Sequence, residues 1–144
     1  MNNNRLRLLL AEKDAITAVD TVNMITEIGY DITSVVDSAL DAITKTETDR
    51  PDLILMDVRL RGSLNGVEAA GILSFKYNIP IVFIATPESK QLFSRDPVFC
   101  YRDCILKPVN KKILQNVIAK NVLIKSMNKN MFRGSTMPPR NFNL

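Results

Sequence analysis

The chain has 144 residues, 46% of them hydrophobic, which is one domain's worth and enough to bury roughly 70% of the surface its unfolded form exposes. No apolar run approaches the roughly 20 residues of a membrane span and no signal-peptide pattern opens the chain, so a soluble cytoplasmic protein is expected. The net charge of +4 is uneven: from Lys107 onward there are eight basic residues and no acid, while the remainder carries 11 basic and 15 acidic residues, a balance of −4. The two cysteines, Cys100 and Cys104, have no histidine in the chain to complete a zinc set. Four residues of regular strand would hold them about 13 Å apart, too far for a disulfide, and reduced thiols fit the same compartment.

After a polar lead-in, strand and helix alternate. Leu6 to Ala11 reads as a strand; Ala15, Ala18, Val19, Val22 and Ile25 then recur at helical spacing, with Asp14 placed to cap and Gly29 to stop the helix. Ile32 to Val36 is a second strand and Ser38 to Glu47 a second helix. Pro51 fixes the entry to a third strand, Leu53 to Met56, which ends on Asp57. Asn65 with Glu68 resembles a capping box, and Val67, Ala70, Gly71 and Ser74 offer a small-residue face for close approach to a sheet. Pro80 precedes a fourth strand, Ile81 to Ala85. Pro87, Asp96 and Pro97 confine Glu88 to Ser94 to a short helix, and a fifth strand lies within Tyr101 to Leu106. Asn110 can cap a last helix whose apolar stripe, Ile113, Leu114, Val117, Ile118 and Ile124, is interrupted by Asn121. Residues 1–127 form the domain; residues 128–144, rich in Asn, Pro and Arg, are expected to be a disordered tail or linker.

Five βα units with near-continuous apolar central strands predict a parallel sheet covered on both faces, because parallel strands need crossover helices. The fold class is therefore α/β, a doubly wound five-stranded parallel sheet. A buried strand that ends on a carboxylate aims it at the carboxyl edge of the sheet, where open α/β folds keep their ligand sites. Two further pieces of sequence lead to that edge: Glu12, Lys13 and Asp14 after the first strand, and Lys107 and Pro108 after the fifth. Acid, acid and lysine after three strands form a phosphoryl-transfer constellation.

These residues resemble the receiver domain of two-component response regulators, of the CheY-like superfamily. The resemblance covers residues 5–125 and is strongest from Arg50 to Ala70 (RPDLILMDVRLRGSLNGVEAA), followed by Pro80 to Ile84 (PIVFI) and Ile105 to Pro108 (ILKP). It implies the flavodoxin-like strand order 2-1-3-4-5, Asp57 as phosphoacceptor, Lys107 in contact with the phosphoryl group, Glu12 in the acidic pocket and a cis peptide before Pro108. It also implies Mg²⁺, held by Glu12, Asp57 and the backbone carbonyl of Arg59 together with water. Asp57 would become an acyl phosphate by in-line attack, so the catalytic demand is positioning and neutralisation of charge. The implied protein is a signalling domain and not an enzyme, its chemistry limited to phosphorylation and dephosphorylation of its own Asp57. Its implied partners are a histidine kinase or phosphotransfer protein, a downstream protein and a second copy of itself, through the fourth helix, fifth strand and fifth helix.

Three residues depart from the family pattern, all at the site. Lys13 stands where an acid usually ligates the metal, which changes the pocket formed with Glu12, Asp57 and Lys107 from −2 to 0. A lysine about 5 Å from Mg²⁺ costs on the order of 2 to 7 kcal/mol of repulsion, more than a tenfold loss of affinity. The milder alternative swings Lys13 into solvent while Glu12 or Asp14 serves the metal through water. Ala85 replaces the usual Thr or Ser hydroxyl; Thr86 is the candidate substitute, although it points to the other side of a regular strand. Cys104 replaces a common aromatic, leaving Tyr101 to take that role.

Two functions follow. One is a phosphorylatable receiver. The other is a phosphorylation-independent module in which Lys13 pairs with Asp57 and takes the place of the metal's charge. A flavin carrier is disfavoured, since nothing after the first strand resembles a flavin phosphate loop. No membrane or nucleic-acid partner is expected: the basic residues of the last helix spread around it instead of forming one stripe.

Overall fold

The computed structural model describes residues 5–133, and the side chains of residues 5–127. The chain runs β1 (Arg7–Ala11), α1 (Ala15–Ile28), β2 (Asp31–Val36), α2 (Ala39–Asp49), β3 (Leu53–Asp57), α3 (Gly66–Lys76), β4 (Ile81–Ala85), α4 (Pro87–Leu92), α5 (Pro97–Cys100), β5 (Cys104–Leu106) and α6 (Lys111–Arg133). All five strands are parallel, in the order β2-β1-β3-β4-β5. The order reverses between β1 and β3, and at such a switch point the adjoining crossovers leave on opposite faces and open a crevice at the strands' carboxyl ends.

Alternation along the strands divides the core in two. Leu9, Ala11, Ile54, Met56, Phe83 and Ala85 face one side, under α2, α3 and Phe99 of α5. Leu8, Leu10, Leu53, Leu55, Val82, Ile84 and Ile105 face the other, under Ala18 and Ile25 of α1 and Leu114 and Ile118 of α6. The three central strands are buried along nearly their whole length, which explains their unbroken apolar runs.

The caps follow the side chains available. Asp14 accepts from the Thr17 N–H and Gly29 closes α1 at φ 110. Asn65 and Glu68 form the capping box of α3, with the Glu68 N–H donating to Asn65 Oδ1 at 2.8 Å and the Asn65 N–H to Glu68 Oε1 at 2.9 Å. Asn110 Oδ1 receives the Ile113 N–H at 3.1 Å. Asn121, which breaks the apolar stripe of α6, reaches out of the helix to Asp103 Oδ2 at 2.8 Å.

Several expectations are corrected. The segment before β5 is not strand: Asp96 caps the separate turn α5, so Cys100 ends a helix and only Cys104 lies in the sheet. Both thiols are free. Within the small-residue face of α3, Val67 and Ala70 are buried, but Ser74 is exposed and accepts a hydrogen bond from Arg102. Ile113 and Ile124 are exposed, so the buried stripe of α6 narrows to Leu114 and Ile118. α6 also runs to Arg133, six residues into the segment 128–144 expected to be tail; no proline or glycine lies between Lys111 and Gly134 to stop it. The remainder of that segment lies outside the described residues.

Candidate functional site

Register assembles the site. Ala11 pairs with Met56, Asp57 with Ile84, and Ile84 and Ala85 with Ile105 and Leu106. Glu12, Asp57 and Lys107 therefore leave the sheet at one level. The backbone ladder continues one residue past the strands: the Glu12 N–H donates to Val36 O at 2.9 Å, the Val58 N–H to Ile84 O at 3.1 Å and the Lys107 N–H to Ala85 O at 2.8 Å. Each functional residue is thus held by main chain before its side chain is considered. All three continue the alternation of the α1/α6 face, in step with Leu10, Leu55 and Ile105.

The Lys107 ammonium bridges both acids, 2.6 Å from Asp57 Oδ2 and 3.1 Å from Glu12 Oε2. Asp57 Oδ1 receives the Arg59 N–H at 2.9 Å, and Glu12 Oε2 also receives the Asp14 N–H at 3.0 Å. Both carboxylates are 3% exposed, which places two like charges in a poorly solvated site with one cation between them. Burial, then a hydrogen bond to Asp57 and its negative charge, push the Glu12 carboxyl up to about 7, against the Asp14 N–H and Lys107. For Lys107, burial disfavours the charge, but the hydrogen bond and attraction of Asp57, followed by those of Glu12, outweigh it and raise its pKa. The Lys107–Pro108 peptide is cis.

Gly66, absent from the residues singled out by sequence, completes the site. A β-carbon there would lie 2.0 Å from the carbonyl oxygen of Asp57, and its N–H donates to Val58 O at 2.9 Å. α3 therefore begins in direct contact with the Asp57 backbone, an approach only glycine allows. The Asn65-Gly66 pair was a usable signal, but the capping box alone accounted for it.

The departures fall as follows. Lys13 is exposed, and the ammonium within ion-pair distance of Asp57 is that of Lys107, so the expected pairing of Lys13 with Asp57 is not formed. Asp14 is exposed and bonds Thr17 at the start of α1, hydrogen bonds that lower its pKa. Ala85 is fully buried on the opposite face from Asp57. Thr86 does not replace its hydroxyl: Thr86 Oγ1 receives the Ser89 N–H at 3.0 Å and caps α4. Cys104 is half-buried beside the same face, and burial raises its thiol pKa. Tyr101 is 86% exposed in the turn after α5, away from any buried aromatic position.

For a metal, the donor chemistry fits but is sparse. Glu12 Oε1 is a buried acceptor with no hydrogen-bond partner, which is the condition of an oxygen left for a cation or a water. Among the described residues no group of three or more His, Cys, Asp or Glu side chains is arranged for a metal, so a divalent ion would rest on Glu12, Asp57, a backbone carbonyl and water. Mg²⁺ accepts such a set, since it keeps several waters and uses one or two carboxylates. No helix among the described residues is long and apolar enough to cross a membrane.

Comparison with known proteins agrees with this geometry. The family model described as the response regulator receiver domain matches residues 8–119. The transcriptional regulatory protein PdtaR of Mycobacterium tuberculosis is 32% identical over 89 residues, 62% of this chain and 43% of that one. The phyllosphere-induced regulator PhyR of Methylorubrum extorquens is 25% identical over 114 residues, 78% of this chain and 42% of that one. The chain thus spans less than half the length of these curated relatives. Among solved structures, the signal receiver domain of a modulated diguanylate cyclase from Desulfovibrio desulfuricans G20 superposes with a TM-score of 0.77 at 29% identity, covering 87% of this chain and 99% of that one.

Proposed function

The chain belongs to the response regulator receiver family, and from that premise we propose that it is a working receiver in which Asp57 accepts a phosphoryl group from the phosphohistidine of a kinase or phosphotransfer protein. The reading rests on one observation: a single ammonium, that of Lys107, bridges Asp57 and Glu12 at the carboxyl edge of the sheet. In the transfer, an Asp57 oxygen bonds to phosphorus as the P–N bond of phosphohistidine breaks, and the leaving imidazole takes up a proton. The Arg59 N–H and the Lys107 ammonium hold opposite oxygens of the carboxylate, so its orientation toward an in-line donor is set in advance. Lys107 then has negative phosphoryl oxygens to follow in place of the carboxylate. Glu12, Asp57 and the Arg59 carbonyl would hold Mg²⁺, which supplies charge neutralisation on the transferring group. Signal output is by contact with another protein.

A second reading is a phosphorylation-independent interaction module. It is supported by the absence of a hydroxyl at Ala85, by the Thr86 hydroxyl being committed to the cap of α4, and by a small thiol at Cys104. In that reading Lys107, and not Lys13, supplies the charge that balances Asp57.

Intact mass after incubation with acetyl phosphate, with and without Mg²⁺ and beside Asp57→Asn, separates the two. A gain of one phosphoryl group that requires both Asp57 and Mg²⁺ is expected of the receiver. No gain on folded protein at high Mg²⁺ selects the module.

A further inference from the structure

The face of α3 that points away from the sheet is unlike an ordinary solvated helix face. Gly66, Val67, Ala69, Ala70 and Leu73 are buried beneath it, yet its outer side carries Phe75 at 96% exposure and Ile72 at 44%. Leu64, Glu68, Gly71, Ile72, Phe75 and Lys76 line a shallow groove of about 680 Å³. A nearly fully exposed phenylalanine next to an apolar groove is an interaction signature and not scattered surface apolarity.

From this pattern we infer that the outer face of α3 is a self-association surface whose occupant is the same face of a second copy, packed antiparallel about a two-fold axis near Ile72. Two features of the face are self-complementary in that arrangement. Glu68 and Lys76 lie four residues to either side of Ile72, so a two-fold axis there brings each Glu68 opposite the partner's Lys76, and does so twice. The protruding ring of Phe75 and the side-chain-free Gly71 are about 6 Å apart along the helix. Inverting the second helix about Ile72 sets each Phe75 at the level of position 69 of the other copy, about 3 Å along the axis from Gly71, which has no side chain to obstruct the ring. The charges are free to exchange: Lys76 makes only an exposed 3.4 Å pair with Glu47, of a kind that holds a side chain weakly, and Glu68 uses Oε1 on the Asn65 N–H, leaving the other oxygen for the partner.

This face is distinct from the surface of α4, β5 and α6. An interface built on one 11-residue helix and its flanking Leu64 falls at the small end of specific interfaces, so the dimer belongs to the weak, transient class.

Sedimentation velocity of the full chain from 10 μM to 1 mM tests the inference. The expected result is a concentration-dependent shift from monomer to dimer, weakened at least tenfold by Phe75→Ser and unaffected by Leu92→Ser on α4. Phe75 is too exposed for its loss to endanger folding. Charge reversal supplies the decisive arm: Glu68→Lys alone and Lys76→Glu alone each set like charges opposite one another and weaken dimerisation several-fold. An equimolar mixture of the two restores opposite charges at both contacts and recovers dimer to near the unsubstituted level. A chain monomeric at 1 mM, a dimer indifferent to Phe75→Ser, a dimer lost with Leu92→Ser, or a mixture no stronger than either variant alone overturns it.

Discussion

Gly66 and Asp57 are in backbone contact: a β-carbon at residue 66 would stand 2.0 Å from the Asp57 carbonyl oxygen and 2.9 Å from its carbonyl carbon. The obstacle is main chain of the central strand, which cannot rotate aside as a side chain can. Gly66→Ala is therefore expected to force α3 away from β3 and to cost about 3 kcal/mol, the upper part of the range for overpacking. Urea denaturation measures it, and a loss under 1 kcal/mol would mean that α3 is not seated as described.

The second prediction concerns acid. Glu12 is raised from 4.5 to about 7, so between those values the native state binds more protons than the unfolded chain. The contribution is full below pH 4.5 and lost as pH rises through 7, amounting to about 3 kcal/mol. Glu12→Gln removes the titration, and the difference in unfolding free energy between pH 5 and pH 8 should shrink by a comparable amount. An unchanged difference would show that another group titrates there.

Lys107 is predicted to hold two buried charges apart. Lys107→Met leaves Asp57 and Glu12 without their cation and costs about 3 kcal/mol at pH 8, as breaking a buried ion pair does. At pH 5 the cost is smaller, because Glu12 is then protonated. Chemical denaturation at the two pH values checks the sign, and equal losses at both would contradict it.

Lys13 is predicted to act on the metal at long range. Its side chain is exposed, so its repulsion belongs at the water-like end of the Coulomb range, about 2 kcal/mol at 5 Å. Lys13→Asp should tighten Mg²⁺ roughly tenfold or more by isothermal titration calorimetry. Identical affinities would put the Lys13 charge beyond reach of the ion.

Much of this was legible in the residues. The apolar runs at Leu8 to Leu10, Leu53 to Met56 and Ile81 to Ala85 mark strands buried on both faces, and Asp14, Asn65 and Asn110 announce helix starts because each supplies a short acceptor to a free N–H. Glu12, Asp57 and Lys107 were visible because each immediately follows a strand. What lay beyond reach depends on three-dimensional placement. Composition does not say that Lys107, and not the nearer-seeming Lys13, reaches Asp57; register across β3, β4 and β5 decides it. The perturbed Glu12 carboxyl is a product of burial beside Asp57, invisible one residue at a time. The split before β5 was missed because Pro87, Asp96 and Pro97 read as the limits of one short helix, whereas Asp96 and Pro97 restart a second helical turn; the fifth strand itself lies within Tyr101 to Leu106 as expected.

That split has a bearing on which part of the surface gives way first. α4 and α5, of six and four residues, are too short to persist on backbone hydrogen bonds alone. Their anchors differ. α5 is fastened by Phe99, whose ring lies 5.1 Å from Phe83 and 6.2 Å from Phe93 between centroids, and by Arg102 gripping Val98 O at 2.6 Å. α4 buries only Ser89, whose hydroxyl is engaged with Thr86. The amide protons of α4 should accordingly exchange with solvent well before those of α5, as a separate opening event of low free energy. The segment between β4 and β5 thus melts in two stages, α4 first.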